Sequence, residues 1–181
     1  RADRSLLRRA AAWIRESRAP LIVAGGGVHY SGACEALQAF ASRFAIPVVE
    51  SQAGKSALAF DDPFNFGPVG VTGASSANAV CREADLVIGV GTRFQDFTTG
   101  SWALFQNPDR ALVSVNVAAY DAMKHGAEPL SADAKVALEA LSEALGDHRA
   151  PTPPMELTSA WFASVDPLTD APEEGDNALP T

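Results

Sequence analysis

Leu86-Val87-Ile88-Gly89-Val90-Gly91-Thr92-Arg93-Phe94-Gln95-Asp96-Phe97-Thr98-Thr99-Gly100 opens as an unbroken apolar run and then breaks into glycine, threonine, arginine and aspartate. A run apolar at every position is a strand covered on both faces, the mark of a parallel sheet. Ligands of such sheets bind outside the carboxyl ends of the strands, which places the residues from Gly91 onward where chemistry would occur.

Outward from this stretch, strand and helix patterns alternate. Leu6, Leu7, Ala10, Ala11 and Ile14 recur at the helical period and predict an amphipathic helix over 3–17. Pro20 marks a break, and Leu21-Ile22-Val23-Ala24 reads as a buried strand running into Gly25-Gly26-Gly27. Ser31 is the expected cap of the next helix, carrying Ala33, Leu37, Phe40, Ala41 and Phe44. Residues 46–50 predict a second short strand, with Pro47 near its start. Residues 51–73 read as a long connection, rich in glycine, proline and phenylalanine, that is functional or docks on a neighbour. A helix over 74–84 precedes the central strand, and 102–105 reads as a short helical turn closed by Pro108. Residues 111–117 predict another strand and the neighbourhood of Leu130 a minor one, before a last helix over 135–145 capped by Asp133. Alternation of this kind gives βαβ units with right-handed crossovers. The fold class is α/β: a Rossmann-like three-layer sandwich, with five or six mostly parallel strands and helices on both faces.

The chain has 181 residues and a net charge of −8. Residues 151–181 hold six acids and no lysine or arginine, which leaves −2 for the first 150. No basic face of the kind nucleic acids require is apparent, so nucleic-acid binding is not expected. Nor does any apolar run approach the roughly 20 residues that span a bilayer, and no signal peptide is recognisable. These features predict a cytoplasmic protein without membrane association. Cys34 and Cys81, without a Cys-x-x-Cys pair or a histidine cluster, read as small buried side chains in a reducing compartment. Residues 1–147 read as one domain. Residues 148–181 read as an acidic, Pro-rich extended linker with Trp161 and Phe162 as anchors. The opening at Arg1, without methionine, suggests a piece of something larger.

Several motifs suggest a binding site without completing one. Gly25-Gly26-Gly27 matches two positions of the dinucleotide fingerprint, but Tyr30 occupies the third glycine position. The triplet therefore reads mainly as a tight turn needing positive φ, and less as a phosphate approach. Gly54-Lys55-Ser56 resembles the end of a P-loop, but the earlier glycine is replaced by Val49. Glu50 stands where a ribose-binding acid would, or is an ordinary exposed strand-end glutamate. The Arg93 guanidinium matches phosphate or carboxylate, with Thr92 as a further donor, unless Arg93 pairs locally with Asp96 to shape the loop. His29, His125 and His148 look isolated. Neither a catalytic constellation nor a metal-binding set can be read from the chain.

Taken in order, Pro20-Leu-Ile-Val-Ala-Gly-Gly-Gly27, Ile46-Pro-Val-Val49, Gly70-Val-Thr-Gly73, Asn78, Ala84-Asp-Leu-Val-Ile-Gly-Val-Gly-Thr-Arg-Phe94 and the helix after Asp133 resemble the central domain of thiamine-diphosphate-dependent enzymes of the acetolactate synthase group. Within that group, Glu50-Ser-Gln-Ala-Gly-Lys-Ser-Ala-Leu58, Gly67-Pro-Val-Gly-Val-Thr-Gly73, Arg93-Phe-Gln-Asp-Phe-Thr-Thr-Gly-Ser-Trp102 and Asn116-Val-Ala-Ala-Tyr-Asp-Ala-Met-Lys-His-Gly126 are most similar to the ring-opening C–C hydrolases of myo-inositol degradation. The resemblance implies a homo-oligomeric parent whose N-terminal domain supplies the glutamate that activates thiamine diphosphate. Its C-terminal domain would hold Mg2+ and the diphosphate, with the acidic tail as the connector toward it. The middle domain is then a non-catalytic scaffold at subunit contacts, which in some members holds FAD or ADP. Here Asn116 and Ala118 replace acids that meet a dinucleotide ribose, and Gln95 replaces one of two acids beside the kept Asp96, so FAD or ADP is disfavoured. The implied cleft is Gly25, Gly26, Gly27, Gly91, Thr92, Arg93 and Asp96, in a vestigial state. An acetolactate synthase-like middle domain that binds FAD or ADP is the nearest rival. A free-standing nucleotide-binding module is another, and an NAD-dependent deacetylase-like fold lacks its zinc cysteines and catalytic histidine here.

Overall fold

The computed structural model describes residues 2–169, with the side chains of 164 and of 166–169 outside that description. Six strands form one sheet: β1 (Pro20–Ala24), β2 (Val48–Glu50), β3 (Asn65–Pro68), β4 (Leu86–Val90), β5 (Ala111–Asn116) and β6 (Glu128–Ser131). Their spatial order is β3-β2-β1-β4-β5-β6, and every pair is parallel. β4 lies at the centre, in register from Pro20 against Leu86 on one side and from Leu86 against Ala111 on the other.

Alternate strand residues feed two cores. Ile22, Ala24, Ile88, Val90, Val113 and Val115 point to the face covered by α1 (Arg4–Glu16), α2 (Gly26–Tyr30), α3 (Cys34–Phe44) and α7 (Ala134–Leu145). Leu21, Val23, Val87, Phe66 and Leu112 point to the other, covered by α4 (Ser75–Glu83), Phe94, Phe105 and the start of α8 (Glu156–Thr169). α5 (Asp96–Thr99) and α6 (Ala119–Ala122) are single turns beyond β4 and β5. The helix over 4–16 begins where expected, because the Asp3 carboxylate accepts hydrogen bonds from the Ser5 and Leu6 amides at 2.7 and 3.3 Å.

Some expectations are corrected. Ser31 does not cap α3, whose cap residue is Ala33 with no side-chain bond. Glycines 26 and 27 instead extend into α2, so Ser31 falls at that helix's end, and its Oγ accepts the Ala134 amide at 3.3 Å. The helical turn expected at 102–105 is displaced to Asp96–Thr99, because Ser101 and Trp102 have φ of 53° and 68°, which a helix cannot continue through. The long connection contains β3, an edge strand whose pattern is disguised by Gly67 and Pro68 and by a register shift against β2. Asp133 caps α7 as expected, through the Val136 amide, but α7 is not the last helix. Over Glu156–Thr169 the expected extended linker is helical. Its anchors are as expected: the rings of Trp161 and Phe162 each pack at a steep angle against Phe60, with centroids 5.1 Å apart. The part of the acidic tail beyond 169 lies outside the described residues. Cys81 is buried, with its thiol pushed up to about 12 by burial against an opposing effect of Arg82, whereas Cys34 is only half-buried.

At the amino edge of the sheet, Asp85 joins two chain segments. Its carboxylate accepts the Ser17 hydroxyl and the Arg18 and Ala19 amides, the latter two at 2.8 and 3.0 Å. Burial works to raise its pKa, but these donors outweigh it and hold the carboxyl below its ordinary value of 3.8. A depressed folded-state pKa contributes stability above the ordinary value that is lost as pH falls through the folded one. Asp85→Asn, with one acceptor oxygen fewer and no charge, is expected to cost about 1 kcal/mol at pH 7 and progressively less as pH falls below the ordinary carboxyl value of 3.8 and through the lower folded one. Urea unfolding of both proteins across that pH range measures the difference.

Candidate nucleotide cleft

The chain runs outward from β1 to β3 on one side and from β4 to β6 on the other, so β1 and β4 flank the point where the order reverses. Crevices at the carboxyl ends of strands at such points take ligands in doubly wound folds. A cleft of about 430 Å3 opens there, lined by Gly25, Gly26, Gly27, Tyr30, Ser51, Gln52, Ala53, Gly91, Thr92, Arg93 and Asn116, among others. Six of the seven expected site residues therefore meet. Asp96 does not line the cleft, although Gln95, Phe97 and Thr98 around it do. Arg93 is exposed, and no Arg93–Asp96 ion pair forms, so the local pairing expected to shape this loop is absent.

The glycines serve a different purpose from the one expected. None of Gly25, Gly26 and Gly27 has positive φ; in the facing loop Gly91 has it, at +63°, as does Phe94, at +49°. A Cβ on Gly25 would lie 2.3 Å from the Gly91 carbonyl oxygen, and one on Gly27 2.6 Å from the Gly91 Cα. The two loops are packed backbone against backbone. Three of their amides are already bonded: Gly25 N–H donates to Val90 O at 2.9 Å and Gly27 N–H to Gly91 O at 3.0 Å across this contact, and Gly91 N–H to Val115 O of β5 at 2.8 Å. A phosphate cradle needs such donors free. Gly54 has a packing role too, since its Cβ would fall 2.2 Å from Ala24 O.

Glu50 matches neither of its readings. It is buried at 5% exposure, and its Oε1 accepts the Leu58 amide at 3.0 Å, so it holds the following loop in place. On the opposite wall, Asn116 donates from Nδ2 to Thr92 O at 3.1 Å and accepts the Ala118 amide at 3.0 Å. It ties the β4 and β5 loops together at the cleft. Among the described residues, no group of three or more His, Cys, Asp or Glu side chains is placed to hold a metal ion. No helix there is long and apolar enough to cross a membrane.

Two arrangements were missed in the sequence. The ring of His125, a residue with φ of 61°, packs at a tilt 4.8 Å from Trp102, which also carries the Arg110 guanidinium 5.1 Å from its ring. His29 and Cys34 are in contact, so His29 is not isolated. The five-residue spacing between them was the available signal, but its meaning depends on α2 being short.

Residues 7–141 match the family described as thiamine pyrophosphate enzyme, central domain. Among curated proteins, the chain is 49% identical over 135 residues to 3D-(3,5/4)-trihydroxycyclohexane-1,2-dione hydrolase of Geobacillus thermodenitrificans, covering 75% of this chain and 21% of that protein. It is 50% identical over 132 residues to the enzyme of that name from Clostridium perfringens, covering 73% and 21%. For hydrolase 2 of Bacillus cereus the figures are 49% over 138 residues, covering 76% and 21%. The chain thus spans about a fifth of the length of these relatives. The matched segment runs from α1 into α7 and takes in all six strands, and with it the whole switch-point cleft. A doubly wound sheet whose every strand falls inside that match makes this chain a member of the thiamine pyrophosphate enzyme central-domain family.

Proposed function

We propose that this chain is the middle domain of a thiamine-diphosphate-dependent hydrolase that opens the trihydroxycyclohexanedione ring in myo-inositol degradation, and that it supplies no catalytic group itself. The observation that carries this reading is the near-50% identity to hydrolases of that name across the family-matched segment. When bound by the parent enzyme, thiamine diphosphate would supply the nucleophilic carbon needed for cleavage of a C–C bond next to a carbonyl. In this reading the cofactor and Mg2+ are held by flanking domains, in a cytoplasmic homo-oligomer. This chain's residues contribute a rigid body between those domains. A hydrolase-deficient bacterium carrying a relative's gene with this segment in place of its own middle domain is expected to grow on myo-inositol. Failure of a stably expressed exchange would count against the reading.

The cleft is, in the same proposal, a remnant. Gly25, Gly26, Gly27, Gly91, Thr92 and Arg93 retain its outline, with Asp96 beside it. The bonded amides of Gly25, Gly27 and Gly91 and the bonded Asn116 favour a closed scaffold over an acetolactate synthase-like FAD or ADP site or a free-standing nucleotide-binding module. Titration calorimetry with FAD, ADP and NAD is expected to give no binding heat up to about 1 mM ligand. Saturable heat abolished by Arg93→Ala would restore the nucleotide reading.

A further inference from the structure

The segment after β1 brings together two side chains that the cleft does not use. Cys34 is the first residue of α3, and its Sγ lies 3.6 Å from Nδ1 of His29 in α2. The other ring nitrogen, Nε2, lies 2.9 Å from the Lys55 carbonyl oxygen. A carbonyl oxygen offers only lone pairs, so in the neutral ring Nε2 carries the hydrogen and donates it. Nδ1 is then left bare, facing the thiol hydrogen. A nucleophile, an adjacent base and a third group that orients the base form the arrangement that activates thiols. His29 is exposed and Cys34 half-buried, so the pair lies at the protein surface. Cys81, buried in α4, does not.

We propose that Cys34 is a reactive thiol served by His29 as its base, and that it is a site of mixed-disulfide formation with small soluble disulfides of the glutathione-disulfide class. Sγ attacks one sulfur of the disulfide as its proton passes to Nδ1. The protein–S–S bond forms as the reagent's S–S bond breaks. The departing thiolate takes the proton from the imidazolium, so each disulfide consumed releases one thiol and the ring returns to neutral. His29 also links α2 to residue 55, just beyond the cleft-lining Gln52 and Ala53, so a group placed on Cys34 disturbs the contact that holds the cleft's outer wall.

The test follows thiol release from 5,5′-dithiobis(2-nitrobenzoate) at pH 7. The Cys81→Ser protein is expected to react through one thiol faster than free glutathione, and its His29→Gln derivative about tenfold or more slowly than its parent. The Cys34→Ser protein is expected to be inert when native and to release one equivalent in guanidinium. Equal rates with and without His29, in proteins of matching circular dichroism, would overturn the assignment. Should the His29 variant misfold, Cys81→Ser alone decides: native reaction faster than in guanidinium supports the dyad, and equal or slower reaction overturns it.

Discussion

Gly91→Ala is expected to lower stability by about 3–5 kcal/mol, a large share of the 5–15 kcal/mol that folded domains possess. Two costs coincide at this position. Its φ of +63° is strained for any residue with a side chain, and its Cβ would lie 2.5 Å from the Cα of Gly27. Neither partner is a flexible side chain that could swing away; both are backbone at the ends of adjacent central strands. Gly126 provides the control, because it has φ of +70° with nothing within 4 Å of a Cβ. Gly126→Ala is therefore expected to cost about 1 kcal/mol, the conformational part alone. Chemical unfolding of the two variants separates strain from collision. A Gly91→Ala protein within 1 kcal/mol of the parent would show that the β1 and β4 loops are not locked together.

Ending the chain after Ala150 is expected to cost about 2–4 kcal/mol, with a drop of several degrees in Tm. Met155 and Leu157 pack against the second core, and Trp161 lies over Gly67 of the edge strand β3, where a Cβ would stand 3.0 Å from its ring. Gly67→Ala is expected to reproduce part of the loss in the full chain, because its φ is +94° and its new methyl would push against Trp161. In the shortened chain the same substitution keeps only the strain. The coupling between the two changes, read by a double-mutant cycle, measures the docking of α8. No effect of the truncation would make 151–169 the linker that its composition suggests.

Composition and period account for what was legible. β1, β4 and β5 are apolar on both faces, and α1, α3, α4 and α7 keep the helical period, so their existence follows from local sequence. β3 did not, because its edge position and the left-handed Gly67 remove the features by which strands are recognised. The helicity of α8 was hidden because its docking rests on Phe60 and Gly67, nearly 100 residues earlier. The cleft shows the same division. Its place at the strand ends could be read from Gly91 onward. The function of its glycines could not, since the atoms that exclude a Cβ at Gly25 belong to Gly91, on another strand. Glu50 likewise gives no sign in sequence that Leu58 turns back to meet it.

The proposal that this domain is the interchangeable scaffold of a trihydroxycyclohexanedione hydrolase is tested most directly by turnover of a purified chimera. The Geobacillus thermodenitrificans relative, carrying this segment in place of its middle domain, should open the dione ring with kcat within about tenfold of its parent, and should purify without flavin. A folded chimera of unchanged oligomeric state that binds thiamine diphosphate but opens no ring, or that purifies yellow with bound flavin, would contradict it.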